Sequence, residues 1–314
     1  MGTSGAAARP PRLGAAEFDA LYRRLRARNA WASGDRGALA ALTPAVVTAA
    51  AREVRGGRTV GLAAPIGTVS GPDDPEPARH WMIGRPGGSV ADGLDFARDG
   101  FAMNVHGDAD SHLDALCHVI YDGTLHGGVP ADSVTAGEAT ALTVDVARDG
   151  IVGRGVLLDI PRLRGVPWLE PGAYVTTGDL LAAERTQGVR VRAGDLLFVR
   201  VGHRLRRDEL GPWPAARTRA GLHPSAMEFL AERRVAVLGG DGNNDTAPNA
   251  TEGVDFPVHV LALHAMGLHL LDYLRFEDLA PVCETERRWS FLCVIAPLRL
   301  PGATGSPVNP IAVL

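Results

Sequence analysis

Lysine is absent from this sequence of 314 residues, so all 32 of its basic residues are arginine. The absence excludes a lysine Schiff base, a covalently attached pyridoxal phosphate and the phosphate-binding lysine of a P-loop. Glycine and proline are abundant, at 38 and 22 residues. Together with the exclusive use of arginine, this composition indicates a GC-rich bacterial genome.

Cysteine is also scarce: Cys117, Cys283 and Cys293 form an odd set without a C-x-x-C pair. A disulfide framework and a cysteine zinc cluster are therefore not expected. No run of about eighteen apolar residues is present, which argues against a membrane span. Residues 1–14 lack the apolar segment of a secretory signal, and we expect a disordered leader followed by a cytoplasmic protein.

Charge and composition are those of an ordinary soluble globular protein. The net charge is −4 and the pI is near 6.2, which gives no reason to expect binding to nucleic acid. Hydrophobic residues make up 46% of the chain and charged residues 22%. No G-x-G-x-x-G follows a strand and no G-x-S-x-G elbow occurs, so dinucleotide binding and an α/β-hydrolase are disfavoured.

Hydrophobic patterns predict one α/β domain over residues 15–314, a mixed β-sheet with peripheral helices. Helices are predicted at residues 15–29, 43–54, 225–234 and 257–267. Thr43 is the expected N-cap of the second helix, with Pro44 at its first position, and Gly267 should end the fourth. Strands are predicted at residues 139–146, 155–160, 195–202, 235–242, 268–274 and, as the last strand, 291–300. The Pro- and Gly-rich residues 71–88 are predicted to form a long surface loop.

Histidine and aspartate are concentrated in residues 106–118, HGDADSHLDALCH, which hold three of each. Four of these residues have even numbers and would share one face of a strand, although ten residues of strand would span roughly 33 Å. A bent segment, with Gly107 giving freedom, could bring them around one point. Such ligands suit Zn²⁺, Mn²⁺ or Fe²⁺. The alternative is that these groups are solvated or cap local structure. The four residues are Asp108, His112, Asp114 and His118.

This segment resembles the signature of the cyclase family, which includes bacterial kynurenine formamidase and isatin hydrolase. The family pattern is H-x-G-T-H-x-D-x-P-x-H. The His112-x-Asp114 pair and His118 match it, whereas Asp108 stands in place of the first histidine. Asp110, Ser111 and Leu116 replace the glycine, threonine and proline. The resemblance runs from about residue 100 to the C-terminus and implies the swivelling β/β/α fold of that family.

The resemblance also implies a metal site that holds one or two divalent ions, Zn²⁺ or Mn²⁺. In the family a late histidine and an acid complete the site, and His259 and Asp272 match them. From the residues alone, Asp272 could equally pair with Arg275. The implied ligands are Asp108, His112, Asp114, His259 and Asp272. A carboxylate at position 108 would favour Mn²⁺. Alternatively, His106 takes that ligand position after a slip of two residues.

Six further residues have predicted roles, most of them with an alternative. His118 is the expected general acid/base, or else a further metal ligand. Asp241 or Asp245, at a predicted strand end, could orient a histidine or belong to a plain turn. Trp81 is a candidate substrate contact or dimer contact, and His203 is a candidate substrate contact, although it could be a surface residue. Cys117 is expected to be a small buried hydrophobe.

The function implied by the resemblance is hydrolysis of an amide, formamide or lactam C–N bond in a small molecule, with a metal-bound water as nucleophile. Two alternatives remain: cyclisation or dehydration in a secondary-metabolite pathway, with the metal as Lewis acid, and a metal-free binding protein. The resemblance also implies a homo-oligomer, a dimer or a tetramer. A long loop with exposed apolar surface would agree with that.

Overall fold

In the described part of the chain, nine strands form one central mixed sheet, and four more form two small two-stranded sheets. The computed structural model describes residues 12–84 and 96–314. Within them the strands are β1 Thr59–Gly61, β2 Arg79–Gly84, β3 Arg98–Ala102, β4 His112–Asp114, β5 Ile151–Asp159, β6 Tyr174–Val175, β7 Leu196–Arg200, β8 Gly221–Leu222, β9 Val237–Gly240, β10 His269–Asp272, β11 Ser290–Ile295, β12 Gly305–Pro307 and β13 Ile311–Val313.

The large sheet has a parallel centre and antiparallel flanks. Its strand order is β1-β13-β11-β5-β7-β9-β10-β4-β12. The pairs β5–β7, β7–β9 and β9–β10 are parallel, and the remaining pairs are antiparallel. The central strands read as near-continuous runs of leucine, valine and phenylalanine because helices cover both faces of a parallel sheet. The predicted mixed sheet with peripheral helices is confirmed.

Helices surround the sheet. They are α1 Ala15–Arg28, α2 Pro44–Ala50, α3 Ile160–Arg164, α4 Thr177–Gln187, α5 His203–Leu210, α6 Ala226–Arg233, α7 Pro257–His259 and α8 Leu279–Glu286. The predicted cap of α2 is confirmed, since the Thr43 side chain accepts a hydrogen bond from the backbone N–H of Val46 at 3.4 Å. No helix in the described part of the chain is long and apolar enough to cross a membrane.

The helix predicted at residues 257–267 changes type after its first turn. It continues from α7 as a π-helix over Val260–Met266 and ends at Gly267, whose φ of 64° is the left-handed conformation expected of a terminating glycine. Helix α1 packs against this π-helix. π-Helical segments are rare in proteins, but those that occur often lie at functional sites. The periodicity of apolar residues predicted a helix here but could not distinguish its type.

Residues 139–146 were expected to form a strand, and this prediction is wrong. The segment contains a 3₁₀ turn, Val144–Ala147, and Leu142 has a positive φ of 57°. Its backbone N–H groups donate single hydrogen bonds to different loops: that of Ala139 to the Gly302 carbonyl and that of Thr140 to the Ser133 carbonyl. β-Propensity depends on tertiary context, and here the segment pairs with no strand of the described chain over successive residues.

Three other boundaries differ from the sequence-based expectation. Part of the predicted loop at residues 71–88 is strand β2, which pairs with β3, while residues 85–88 lie outside the described part. The strand predicted at 291–300 ends at Ile295 and is followed by β12 and β13, because prolines interrupt the ladder after it. Leu13 belongs to the predicted leader, yet its backbone N–H donates a hydrogen bond to the Ala250 carbonyl. Residues 1–11 of that leader lie outside the described part.

The register of β4 against β10 determines where polar side chains meet. His112 lies opposite Asp272, and Asp114 lies opposite Leu270. Residues two apart on a strand share a face, and directly paired residues of antiparallel strands do so as well. The pairing therefore places His112, Asp114 and Asp272 on one face of the sheet.

His269, at the start of β10, is fully buried and neither of its ring nitrogens has a hydrogen-bond partner in the described residues. Burial lowers the pKa of His269 to about 3, so the folded protein keeps the ring neutral where the unfolded chain, with a pKa of about 6.5, binds a proton. This difference favours the unfolded state increasingly as the pH falls from about 6.5 to 3.

We therefore expect His269→Leu to keep or raise stability at pH 7 and to flatten the loss of stability below pH 6.5. Leucine introduces no unpaired polar atoms at this site. Urea unfolding at a series of pH values measures the effect. An unchanged slope between pH 6.5 and pH 4 would contradict it.

Candidate functional site

Asp114 lies at the centre of the site, with its carboxylate completely buried. Its Oδ1 is 2.8 Å from Nδ1 of His106 and 3.5 Å from Nε2 of His112. Its Oδ2 is 3.5 Å from Nε2 of His259 and has no hydrogen-bond partner in the described residues. Burial opposes ionisation, but attraction to the surrounding imidazoles, that of His118 first and then those of His106, His259 and His112, holds the pKa of Asp114 well below its usual range.

Two groups of potential metal ligands share this aspartate. His106, His112 and Asp114 form one group, and Asp114, His259 and Asp272 form the other. Within each group, one ligand atom from every residue lies within 4.8 Å of the others. Imidazole and carboxylate donors in this number suit Zn²⁺ and neighbouring divalent ions.

His259 is held by an aspartate behind it. Its Nδ1 lies 2.6 Å from Oδ2 of Asp245, which leaves Nε2 directed towards Asp114 and Asp272 at 3.5 and 3.4 Å. The same Asp245 carboxylate accepts the backbone N–H groups of Val258 and His259. A carboxylate on the far nitrogen is the usual device that orients a metal-binding histidine. Asp245 therefore has the orienting role that the sequence left open.

Asp272 is fixed by two asparagines of the loop after β9. Its Oδ2 accepts from the side chain of Asn243 at 2.8 Å and its Oδ1 from that of Asn244 at 2.5 Å. The loop at residues 239–245 is thus not a plain turn. Asp241 in that loop points elsewhere and accepts the backbone N–H groups of Val201, Gly202 and His203.

His106 and Asp108 occupy different places at the entrance of the site. His106 belongs to a ligand group, and its Nε2 lies 2.9 Å from the hydroxyl of Thr304. Asp108 belongs to neither group; its Oδ1 accepts a hydrogen bond from the Tyr273 hydroxyl at 3.1 Å. The geometry therefore agrees with the alternative in which His106 takes the ligand position that the sequence pattern assigned to Asp108.

His118 lies above the ligand groups without belonging to either. Its ring stacks on that of His106, with centroids 3.7 Å apart and an interplanar angle of 9°. Burial is the largest cause that lowers the pKa of His118, to about 4. The ring is therefore neutral near pH 7 and offers a nitrogen that can accept a proton.

A cavity of about 540 Å³ opens onto these side chains. Its polar lining includes His106, Asp108, His112, His118, His259 and Asp272. Its apolar lining includes Val119, Ile120, Tyr121, Val254 and Phe256. No arginine of the described chain lines it. Sequence reasoning missed these apolar residues, although each of them lies within five residues of His118 or His259.

Trp81 and His203 do not line this cavity. Trp81 is half-exposed on β2. His203 begins α5 and is buried, since its ring packs between Trp213 and Tyr273 with centroid distances of 4.7 and 5.6 Å. Cys117 is buried, and burial raises the pKa of its thiol to about 11, as expected of a small hydrophobe.

Comparisons with known proteins agree on one family. The model of the family Cyclase, described as "Putative cyclase", matches residues 42–244. A crystal structure described as a novel cyclase is 30% identical with a TM-score of 0.83, over 93% of this chain and 99% of that chain. No curated protein sequence is significantly similar to this chain.

Two isatin hydrolase structures are more distant and show likeness of fold alone. One, bound to the product analogue thioisatinate, is 20% identical with a TM-score of 0.57, over 88% of this chain and 98% of that chain. The other, isatin hydrolase A from Ralstonia solanacearum, is 23% identical with a TM-score of 0.57, over 86% and 95%.

Alanine substitutions should affect metal affinity differently at the two candidates for the first ligand position, His106 and Asp108. We expect His106→Ala to weaken binding of Zn²⁺ or Mn²⁺ strongly, because it removes a donor, and Asp108→Ala to weaken it little. Metal titration of both variants measures this, with the exposed His80→Ala as control. The reverse ranking would return the ligand role to Asp108, and no change in either variant would exclude both residues.

Proposed function

Because the chain belongs to the Cyclase family, we propose that it is a metal-dependent hydrolase of an amide, formamide or lactam C–N bond in a small molecule. Membership confirms the resemblance seen in the signature. The observation that supports the proposal most is the arrangement at Asp114: a buried carboxylate oxygen, Oδ2, has no hydrogen-bond partner in the described residues and belongs to a carboxylate shared by two groups of histidine and aspartate donors. A carboxylate is costly to bury, and a cation held among these donors would stabilise it.

The residues present fit a divalent metal. His106, His112 and Asp114 would hold one ion, and Asp114, His259 and Asp272 a second. Such an ion supplies Lewis acidity, which polarises a carbonyl and makes water a stronger acid. The proposed set has three imidazoles and two carboxylates. With His106 rather than Asp108 it favours Zn²⁺ more than the sequence pattern suggested, while Mn²⁺ remains compatible.

His118 would transfer the proton. It faces the cavity beside both ligand groups, and its neutral ring can take a proton from water and deliver it to the leaving nitrogen. Stacking on His106 holds the ring in place. Asp245, behind His259, would keep that ligand in one tautomer through the cycle.

The cavity indicates what the substrate is like. Its apolar lining residues can cover a ring or alkyl group, while its polar lining residues include the ligand candidates and His118, beside which the reacting bond would lie. A substrate carboxylate far from the ligand groups would meet no arginine in the described lining and would be repelled by Asp108 and Asp255. We therefore propose an uncharged substrate. Two of the similar structures are isatin hydrolases, and isatin is an uncharged cyclic amide of this kind.

Metal analysis and a substrate panel test the function together. Protein purified without chelator should contain one or two zinc or manganese ions per chain. It should hydrolyse members of a panel of formanilides, isatins and lactams, and a chelator should stop the reaction until metal is restored. Metal-loaded protein that cleaves no C–N bond in the panel would count against the proposed reaction, and folded protein that binds no metal would refute the proposal.

For the acid/base role, His118→Ala should lower kcat by roughly 10²- to 10⁴-fold while metal content stays unchanged. The reason is that the variant removes the proton carrier and leaves both ligand groups intact. Turnover and elemental analysis on one preparation measure the two effects. If His118→Ala loses metal as His112→Ala does, His118 is a ligand.

We also propose that the protein is a homodimer whose two protomers contact each other through the β2–β3 hairpin. Trp81 and Ile83 pack over Gly100, where a side chain would clash with both. They are 45% and 58% exposed, and Met82 and Phe101 are similarly exposed on the opposite face of the hairpin. A two-stranded ribbon with apolar residues on both faces is marginal unless another surface covers it.

Light scattering at micromolar concentration should give a dimer for the native protein and a monomer for a Trp81→Glu/Ile83→Glu double variant. Buried carboxylates would oppose association. Leu210→Glu, at the exposed end of α5, should remain a dimer. A monomeric native protein would refute the dimer, and a dimeric double variant would exclude the hairpin as its contact.

A further inference from the structure

Arg204 is a buried cation that pairs with no carboxylate of the described chain. It is the second residue of α5 and only 5% exposed. Its Nε donates to the carbonyl of Leu274 at 3.3 Å, and its Nη2 donates to the carbonyls of Ala109 and Tyr273. Burial lowers the pKa of Arg204. Burying a guanidinium with neutral partners alone is costly, so a compensating role is expected.

The three carbonyls belong to the two segments that carry the metal-ligand candidates. Ala109 lies between His106 and His112, in the signature segment. Tyr273 and Leu274 directly follow Asp272. One planar guanidinium with several donors in a fixed geometry therefore spans the signature segment and the end of β10.

The backbone at Tyr273 needs such support. Its φ of 56° is left-handed, a conformation that is unfavourable for a residue with a side chain. The Tyr273 carbonyl accepts a second hydrogen bond, from the Ser111 hydroxyl at 2.7 Å. The Tyr273 hydroxyl itself donates a hydrogen bond to the Asp108 carboxylate. The turn directly after Asp272 is thus held in a strained shape by donors from two other parts of the chain.

We propose that Arg204 is a positioning residue for the metal site: it fixes the separation between the signature segment and the turn after Asp272. This inference rests on the proposed metal-dependent function. Arg204 touches none of the reacting atoms and acts through backbone carbonyls.

The charge and the hydrogen bonds of Arg204 predict opposite effects on metal affinity. A positive charge near the site repels a cation, so its loss alone would strengthen metal binding. Loss of positioning lets Asp272 shift relative to Asp114 of the signature segment, with which it shares a ligand group, and weakens metal binding. The sign of the change in affinity therefore separates the positioning role from a purely electrostatic one.

Zn²⁺ titration with a competing chelator, on folded protein, tests the proposal. Arg204→Met should weaken zinc affinity by roughly 10- to 100-fold, the range seen when residues behind metal ligands are replaced. Arg204→Lys should restore part of the loss, because an ammonium can still donate to the same carbonyls. Arg233→Met removes another buried arginine, one paired with Glu184, and should lower stability without changing zinc affinity.

Unchanged or stronger zinc binding in folded Arg204→Met would overturn the proposal. If that variant does not fold, Ser111→Ala removes the second donor to the Tyr273 carbonyl, and it should weaken zinc binding by a smaller factor; unchanged binding there would equally overturn it. Native protein that binds no zinc or manganese would instead refute the proposed function, so the two failures are distinguishable.

Discussion

The interaction on which the rest of the site depends is the contact of the buried Asp114 carboxylate with the histidines around it. Its Oδ1 faces His106 and His112, and its Oδ2 faces His259. A carboxylate with no exposure would not stay ionised without these neighbours. Because β4 lies between β10 and β12, the sheet itself fixes where this carboxylate stands.

Most of the surrounding structure orients the residues that face Asp114. Asp245 holds His259, and two asparagines of the same loop hold Asp272. The π-helix begins directly after His259, so the ring projects from the first turn of a continuous helical segment. These supports come from the loop after β9 and hold residues of α7 and β10, and several of the hydrogen bonds involve the backbone as well as side chains. They give the site its rigidity before any ligand binds.

Much of this arrangement could be predicted from the sequence, and the failures have physical causes. The His112-x-Asp114 pair and the central strands follow from local spacing and runs of leucine and valine. The position of His106 does not, because it depends on an irregular segment and on Thr304, almost 200 residues away in sequence. Equally, Tyr273 meets Asp108 across 165 residues. Residues 139–146 have the composition of a strand but make only single backbone hydrogen bonds to loop residues such as Gly302 and Ser133.

The most direct test of the account is X-ray diffraction from zinc- or manganese-soaked crystals, recorded on both sides of the absorption edge of the metal. Anomalous peaks show where the ions lie. The account predicts a peak within bonding distance of Asp114 Oδ2, shared with His259 and Asp272, and a second peak beside His106 and His112 if two ions bind. The account would be contradicted if metal ions were fully occupied elsewhere in the crystal and no peak lay at Asp114. It would also be contradicted if a protein group donated a hydrogen bond to Asp114 Oδ2.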